Sequence, residues 1–218
     1  MDKQQLILIG GGGHCKSCID VIESEGKYVI SGILDTRGKV NTTILGYPVI
    51  GTDDDIMALV QKKYFFLITI GQIKSATIRI KIFQKLKFYN AFIATIVAST
   101  AHVSKYAMIG EGSIIMHGSV VNAAAAVGNN CIINTNAHIE HDVVVGDHCH
   151  ISTNTVVNGD CHIGSEVFIG SNSTLVNNVS IANNVVLGAG SVVLKDIRYK
   201  GIYAGNPAIT LKEYLCKE

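Results

Sequence analysis

Aliphatic side chains fall into a strict period of six over nearly half of the chain. Stepping by six from Val97 reaches Val103, Ile109, Ile115, Val121, Val127, Ile133, Ile139, Val145, Ile151, Val157, Ile163, Ile169, Leu175, Ile181, Leu187 and Val193, all of them Val, Ile or Leu. Four residues after each anchor stands, nearly always, a small or β-branched residue such as Ser113, Ala125, Cys131, Cys149, Thr155 or Cys161. That position precedes the next anchor by two, so both point inward from one short strand and the residue between them points outward. A helical period of 3.6 cannot hold phase with six over so many cycles, and a flat sheet needs no corner every six residues. The pattern therefore predicts a parallel β-helix with three faces of six residues to each coil. Gly110, Gly128, Gly146 and Gly164 recur once per coil, with Ala182 continuing the column, and are expected at a corner that needs positive φ. By the same phase Cys131 and Cys149 are interior packing. His138, His150 and His162 face outward, His141 and His148 lie at corners, and no histidine is expected in the core.

Upstream of Val97 the period changes. Leu6–Ile9 reads as a buried strand running into Gly10–Gly13, and Lys16–Glu25 has helical spacing. Tyr28–Leu34 is a second strand closed by Asp35, Phe65–Ile70 a third that stops at Gly71, Ala76–Leu86 a helix, and a short strand follows near Ile93. This is a small Rossmann-like α/β unit of βαβαβ type. The expected organisation is an α/β domain over 1–96, an all-β coil over 97–198 and a C-terminal tail over 199–218. The glycine loop departs from the dinucleotide fingerprint, because Cys15 stands where the third glycine belongs, which disfavours a nicotinamide site. Backbone amides at a helix start still suit a phosphate, and an acid closing the second strand suits a ribose or base.

Charge supports the same division. Lys plus Arg number 18 and Asp plus Glu 17 in 218 residues, a net charge of +1 that argues against a nucleic-acid or polybasic membrane surface. Residues 97–198 hold only 3 basic and 7 acidic side chains, and so sparse a surface suggests an oligomer. No apolar stretch approaches the roughly 18 residues of a membrane span, and the first residues do not read as a signal peptide, so a cytoplasmic protein is expected. The six cysteines, Cys216 among them, show no paired ligand spacing. Cys15 and Cys18 form a lone Cys-x-x-Cys read as packed, reduced thiols.

The repeat of aliphatic, then Gly, Asn or Glu, then two free positions, then a small residue resembles the hexapeptide-repeat acyltransferases. That resemblance implies a left-handed coil, a homotrimer and acyl-CoA sites in clefts between neighbouring coils. The two halves together resemble the sugar acetyltransferase family that includes the bacillosamine-pathway and perosamine N-acetyltransferases and the sialic acid O-acetyltransferase. The resemblance assigns the nucleotide of a nucleotide-linked sugar to Gly10, Gly12, Gly13, His14, Asp35 and Gly71. The run Asn134-Thr135-Asn136-Ala137-His138-Ile139-Glu140-His141-Asp142 resembles the family's active-site segment, with His141 as general base, Asp142 orienting it, Glu140 as the alternative orienter and Asn134 near the substrate. His150 matches a second family histidine near the acetyl group or the acceptor, and Gly159 a position near the thioester. Gly188, Ala189 and Gly190 resemble the pantetheine channel, Lys195 and Lys200 are phosphate partners, and the Gly205-Asn206-Pro207-Ala208 closure brings Pro207 beside the coenzyme.

The expected activity is transfer of acetyl from acetyl-CoA to the amine of a nucleotide-linked 4-amino-deoxy sugar, with no metal. Ile151–Asn154 and Val157–Asp160 also resemble the sialic acid O-acetyltransferase, so O-transfer is the alternative. A non-catalytic nucleotide-sugar scaffold is the third reading. The zinc-dependent carbonic anhydrase built on the same coil needs a histidine well upstream of a close pair, which His102 and His117 do not supply.

Overall fold

The computed structural model describes residues 3–213, with backbone alone for 212 and 213, and Cys216 lies outside that range. The chain divides into two units, Met1–Gly71 with Thr77–Ser99, and Gln72–Ala76 with Thr100–Glu218.

In the first unit strand β1 (Gln4–Ile9) leads through the glycines into helix α1 (Gly13–Glu25), followed by β2 (Tyr28–Leu34). A hairpin of β3 (Thr43–Ile44) and β4 (Tyr47–Gly51), a short α2 (Ile56–Gln61), β5 (Phe65–Ile68), α3 (Thr77–Phe88) and β6 (Phe92–Ile93) complete it. The sheet order is β3-β4-β2-β1-β5-β6, parallel except for the β3–β4 pair. Leu6–Ile9, Ile33, Leu34, Phe66 and Leu67 are buried because a parallel sheet covered by helices has no wet face. β1 has β2 on one side and β5 on the other, so the chain reverses its direction of winding beside β1. A crevice opens at such a point beyond the carboxyl ends of the strands. Gly26, left-handed at φ 70°, ends α1 and donates its N–H to the Ile22 carbonyl. Arg79 on α3 is 1% exposed, and its guanidinium donates to the Ile70 carbonyl at 2.6 Å, which fixes the chain just past β5.

The second unit is the expected coil. Its strands are mostly two residues long and stack in three parallel columns in which each strand residue lies over the one eighteen positions later, the spacing falling to sixteen in the last pairings, Ile181 with Ile197 and Val185 with Gly201. Ile115, Ile133, Ile151, Ile169 and Leu187 form one interior column, and Val121, Ile139, Val157, Leu175 and Val193 another. From Ser113 upward the anchors and the small residues between them are buried, whereas Val97, Val103 and Ile109 are half-buried at the open first coil. The column closes with a strand at Gly201–Ala204 and an antiparallel return at Ile209–Glu213.

Two expectations change. Gly110, Gly128, Gly146 and Gly164 do not have positive φ. They are sites of close approach: a Cβ on Gly110 would lie 2.4 Å from the Gly128 carbonyl carbon, and one on Gly146 would lie 2.8 Å from that of Gly164. The left-handed series is a different one, with a member at each of the three corners of a coil, and it runs from Gly112 and Gly118 through Ala124, Asn130, Asn136, Asp142, His148, Asn154, Asp160, Glu166, Asn172, Asn178 and Asn184 to Gly190. Asn and Gly dominate it because they adopt φ near +60° at least cost. The second change is His150. It does face outward from the coil, but it is 7% exposed, covered by Gln72 and the Phe168 ring.

Candidate active site

The corner after Ile139 carries His141 and Asp142, the histidine and carboxylate singled out in the sequence. Asp142 takes the left-handed position at φ 61°, and this turn brings its carboxylate back onto the preceding side chain. Nδ1–H of His141 donates to Asp142 Oδ2 at 2.8 Å. That bond puts the proton on Nδ1 and leaves the Nε2 lone pair free, the form a general base needs. Glu140 is turned elsewhere and accepts from Asn122 Nδ2 at 2.9 Å. Gly159, one coil on, lies against the imidazole: a Cβ there would fall 2.5 Å from Cε1 and 2.7 Å from Nε2 of His141. The Asp160 N–H donates to the His141 carbonyl at 3.1 Å, so the two corners are tied through the backbone as well. The pair is open, with the His141 side chain 60% and the Asp142 side chain 58% exposed.

Asn134 begins the next corner back along the chain. Its Oδ1 accepts from the Thr135 N–H at 2.8 Å, and its Nδ2 donates to His150 Nε2 at 3.0 Å. His150 Nδ1 in turn meets the Gln72 carbonyl at 2.7 Å. Gln72 has no signal in the sequence, because this contact spans 78 residues.

In the α/β unit a cavity of about 480 Å³ opens at the ends of β1, β2 and β5, with Gly10, Asp35, Arg37, Asp53, Asp54 and Ile78 among its lining. Asp35 binds the glycine loop: its Oδ2 accepts from the Gly11 N–H at 2.7 Å and from Lys39 Nζ at 2.9 Å, and its Oδ1 accepts from the Thr36 N–H. Burial raises the Asp35 carboxyl, but the hydrogen bonds from Lys39, Thr36 and Gly11 outweigh it and hold the group below its ordinary value. Burial pushes Asp53 up, with Lys85 acting against it. Of the other residues assigned to the nucleotide, Gly12 caps α1, Gly13 and His14 open that helix, and Gly71 lies beside the His14 Cβ; these four are not in the cavity lining. Arg37, Asp53 and Asp54 were missed. Asp53 and Asp54 sit in a capping box set by Thr52 and Asp55, whose Thr-x-x-Asp spacing is visible in the sequence.

A second cavity, about 650 Å³, lies at the top of the coil, with Lys195, Tyr203 and Pro207 in its wall. Gly188, Ala189 and Gly190 are outside that wall: Gly188 and Ala189 lie against Gly170, where a Cβ would fall 2.7 Å from the Gly188 carbonyl carbon and 2.5 Å from the Ala189 nitrogen, and Gly190 takes a left-handed corner at φ 68°. Among the described residues no group of three or more His, Cys, Asp or Glu side chains could hold a metal. Cys15, Cys18, Cys131, Cys149 and Cys161 are buried thiols. Burial raises the Cys15, Cys18, Cys149 and Cys161 thiols above their ordinary value, against nucleophilic use.

Residues 5–86 match the PglD N-terminal domain, and 124–159 and 160–195 each match the bacterial transferase hexapeptide of six repeats. The acetyltransferase domain of PglB from Neisseria gonorrhoeae, solved in complex with acetyl coenzyme A, superposes with a TM-score of 0.90 at 30% identity over 96% of this chain and 100% of that one. The chain belongs to the hexapeptide-repeat acetyltransferase family. Another structure in the same range is PerB from Caulobacter crescentus, in complex with CoA and GDP-perosamine, at 28% identity, a TM-score of 0.88 and coverage of 94% of this chain and 96% of that one. WeeI from Acinetobacter baumannii, at 21% identity and a TM-score of 0.84 over 96% of this chain and all of that one, shares the fold. No curated protein matches the chain in sequence. The coil of this acetyltransferase is thus the left-handed parallel β-helix of its family.

Proposed function

We propose that the protein is an acetyl-CoA-dependent N-acetyltransferase acting on the amine of a nucleotide-linked 4-amino-deoxy sugar. The observation that carries this reading is the Asp142–His141 pair, with the imidazole laid against Gly159 and its Nε2 free. The acceptor nitrogen attacks the thioester carbonyl, a C–N bond forms, and His141 Nε2 takes the amine proton. Collapse of the tetrahedral intermediate breaks the C–S bond, and the proton passes from Nε2 to the departing thiolate. A backbone N–H stabilises the oxyanion on the way. Complexes of the two relatives, one with acetyl coenzyme A and one with CoA and GDP-perosamine, support the choice of substrates. The crevice at the ends of β1, β2 and β5 is assigned to the nucleotide, and the cavity beside Lys195 and Pro207 to the distal part of the coenzyme.

The test is thiol release from acetyl-CoA by the wild type and by His141→Ala, with UDP- and GDP-linked 4-amino sugars and free sialic acid as acceptors. Release with a nucleotide amino sugar is expected, and His141→Ala is expected to lower turnover by roughly 100-fold or more while calorimetry still detects coenzyme binding. Release with sialic acid alone would move the protein to O-transfer, and an unchanged rate in the variant would remove His141 from the mechanism.

We further assign the protein a homotrimeric state in the cytoplasm. Met108 and Val144 are 67% and 41% exposed in one column of outward positions, and the His141–Asp142 pair is open in the single chain. A second copy against these faces would cover the apolar column and exclude water from the base. Sedimentation should give a mass of three chains, and a monomer active in the transfer assay would overturn the assignment.

A further inference from the structure

The neighbourhood of His150 forms a closed chain of donors and acceptors. The Thr135 N–H donates to Asn134 Oδ1 at 2.8 Å, which fixes the carboxamide with its Nδ2 toward His150. A carboxamide nitrogen only donates, so Nε2 of His150, 3.0 Å away, is the acceptor. The proton therefore sits on Nδ1, where the Gln72 carbonyl at 2.7 Å accepts it. Both nitrogens are spent within the chain, and the ring is 7% exposed, with the Phe168 ring packed nearly perpendicular to it at 5.3 Å between centroids. A second proton, on Nε2, would set donor against donor, and Asn134 cannot turn to accept it without giving up Thr135. His141, by contrast, has its Nε2 open.

We propose that His150 is a positioning residue: a neutral imidazole, locked with its proton on Nδ1, whose two hydrogen bonds fix the Gln72 carbonyl and the Asn134 amide beside the acceptor. The placement beside the acceptor rests on the transfer reading above; the lock itself does not. The segment Gln72–Ala76 belongs with the coil although it lies in sequence between β5 and α3. Gln72 is 3% exposed, and its side-chain Oε1 is buried without a hydrogen-bond partner, so the grip on this residue comes through its main-chain carbonyl. His150 makes that grip. The second Nδ2 hydrogen of Asn134 is held in a fixed direction by the same chain and is available to an oxygen of the acceptor sugar.

The experiment uses the 218-residue chain with 15N-labelled histidine at neutral pH, with His150→Asn identifying the resonance. A protonated Nδ1 and a bare Nε2 are expected, and a proton on Nε2 or a charged ring would overturn the lock. Asn at 150 keeps a donor toward Gln72, whereas Ala keeps none. Hydrogen–deuterium exchange at residues 72–76 should quicken in His150→Ala and return toward wild type in His150→Asn; equal exchange in all three proteins would overturn the positioning role. In the transfer assay His150→Ala should raise the acceptor KM about tenfold, with His150→Asn intermediate and kcat keeping the pH dependence of the wild type. Loss of that pH dependence would make His150 the proton acceptor and sink the proposal. An enzyme silent on every acceptor but with the expected tautomer and exchange would instead defeat the transfer reading alone.

Discussion

Asp142 meets two requirements with one side chain. Its position is left-handed, which the corner demands at every sixth residue, and its carboxylate then reaches the imidazole of its own neighbour. Asp is among the few side chains that tolerate this backbone, so the residue that holds the imidazole also makes the turn. Asp35 is a comparable case in the other unit, where a carboxylate binds Gly11, Thr36 and Lys39. Its folded value is depressed, so its contribution to stability is present above the unfolded value of about 3.9 and is lost as the pH falls through the folded one. Asp35→Asn should therefore lower the melting temperature at pH 7, with the gap from wild type closing below about pH 4. A gap that stays constant down to acid pH would show that the carboxylate charge is not what holds the loop. The Glu-His-Asp run was legible because its three residues are consecutive. The choice between Glu140 and Asp142 was not, since it depends on which carboxylate the turn swings toward the ring, and Gln72 stayed hidden because chain folding alone brings it to His150.

The elements of the coil were legible for a simple reason: inward and outward positions alternate along strands two residues long, and each alternation leaves its mark in the sequence. The corners were read less well. The glycine column at 110, 128, 146 and 164 repeats once per coil and the Asn-rich series from 112 to 190 three times, both in step with the coil, and periodicity alone does not separate a need for space from a need for φ. The structure makes the difference testable. Gly128→Ala would press a Cβ to 2.5 Å from Asp147 Oδ1 and 2.8 Å from the Gly146 carbonyl carbon, and should cost roughly 1–3 kcal/mol in denaturant melts. Glu166→Asn acts on the other series, where a non-glycine side chain sits at φ 63°, and should gain up to about 1 kcal/mol. A loss from the second variant would mean that the Glu166 side chain matters more than its backbone. In the α/β unit the main strands and helices were visible, while the β3–β4 hairpin and α2 were not, being too short to establish a period.

Across the whole molecule the two units solve different problems. A parallel sheet with a reversal of winding beside β1 offers a crevice for one ligand, and a stack of identical coils offers a straight edge. Ile139, Val157, Leu175 and Val193 lie directly above one another, His141 follows the first of them by two residues, and Lys195 follows the last by two. Three inter-strand steps separate them, roughly 14 Å. The coil is in this sense a ruler graduated in whole turns. On the assignment proposed above, its markings would set how long an acyl carrier must be for its far end to rest near Lys195 and Pro207 while its thioester reaches His141. Excising residues 160–177 removes one graduation and leaves every remaining strand with an equivalent neighbour. The shortened protein should fold, bind CoA and fail to present the acetyl group to the base, which melting, calorimetry and thiol release together would reveal. Excising six residues would turn everything above the cut by one face, so lengths on this ruler change only in full turns.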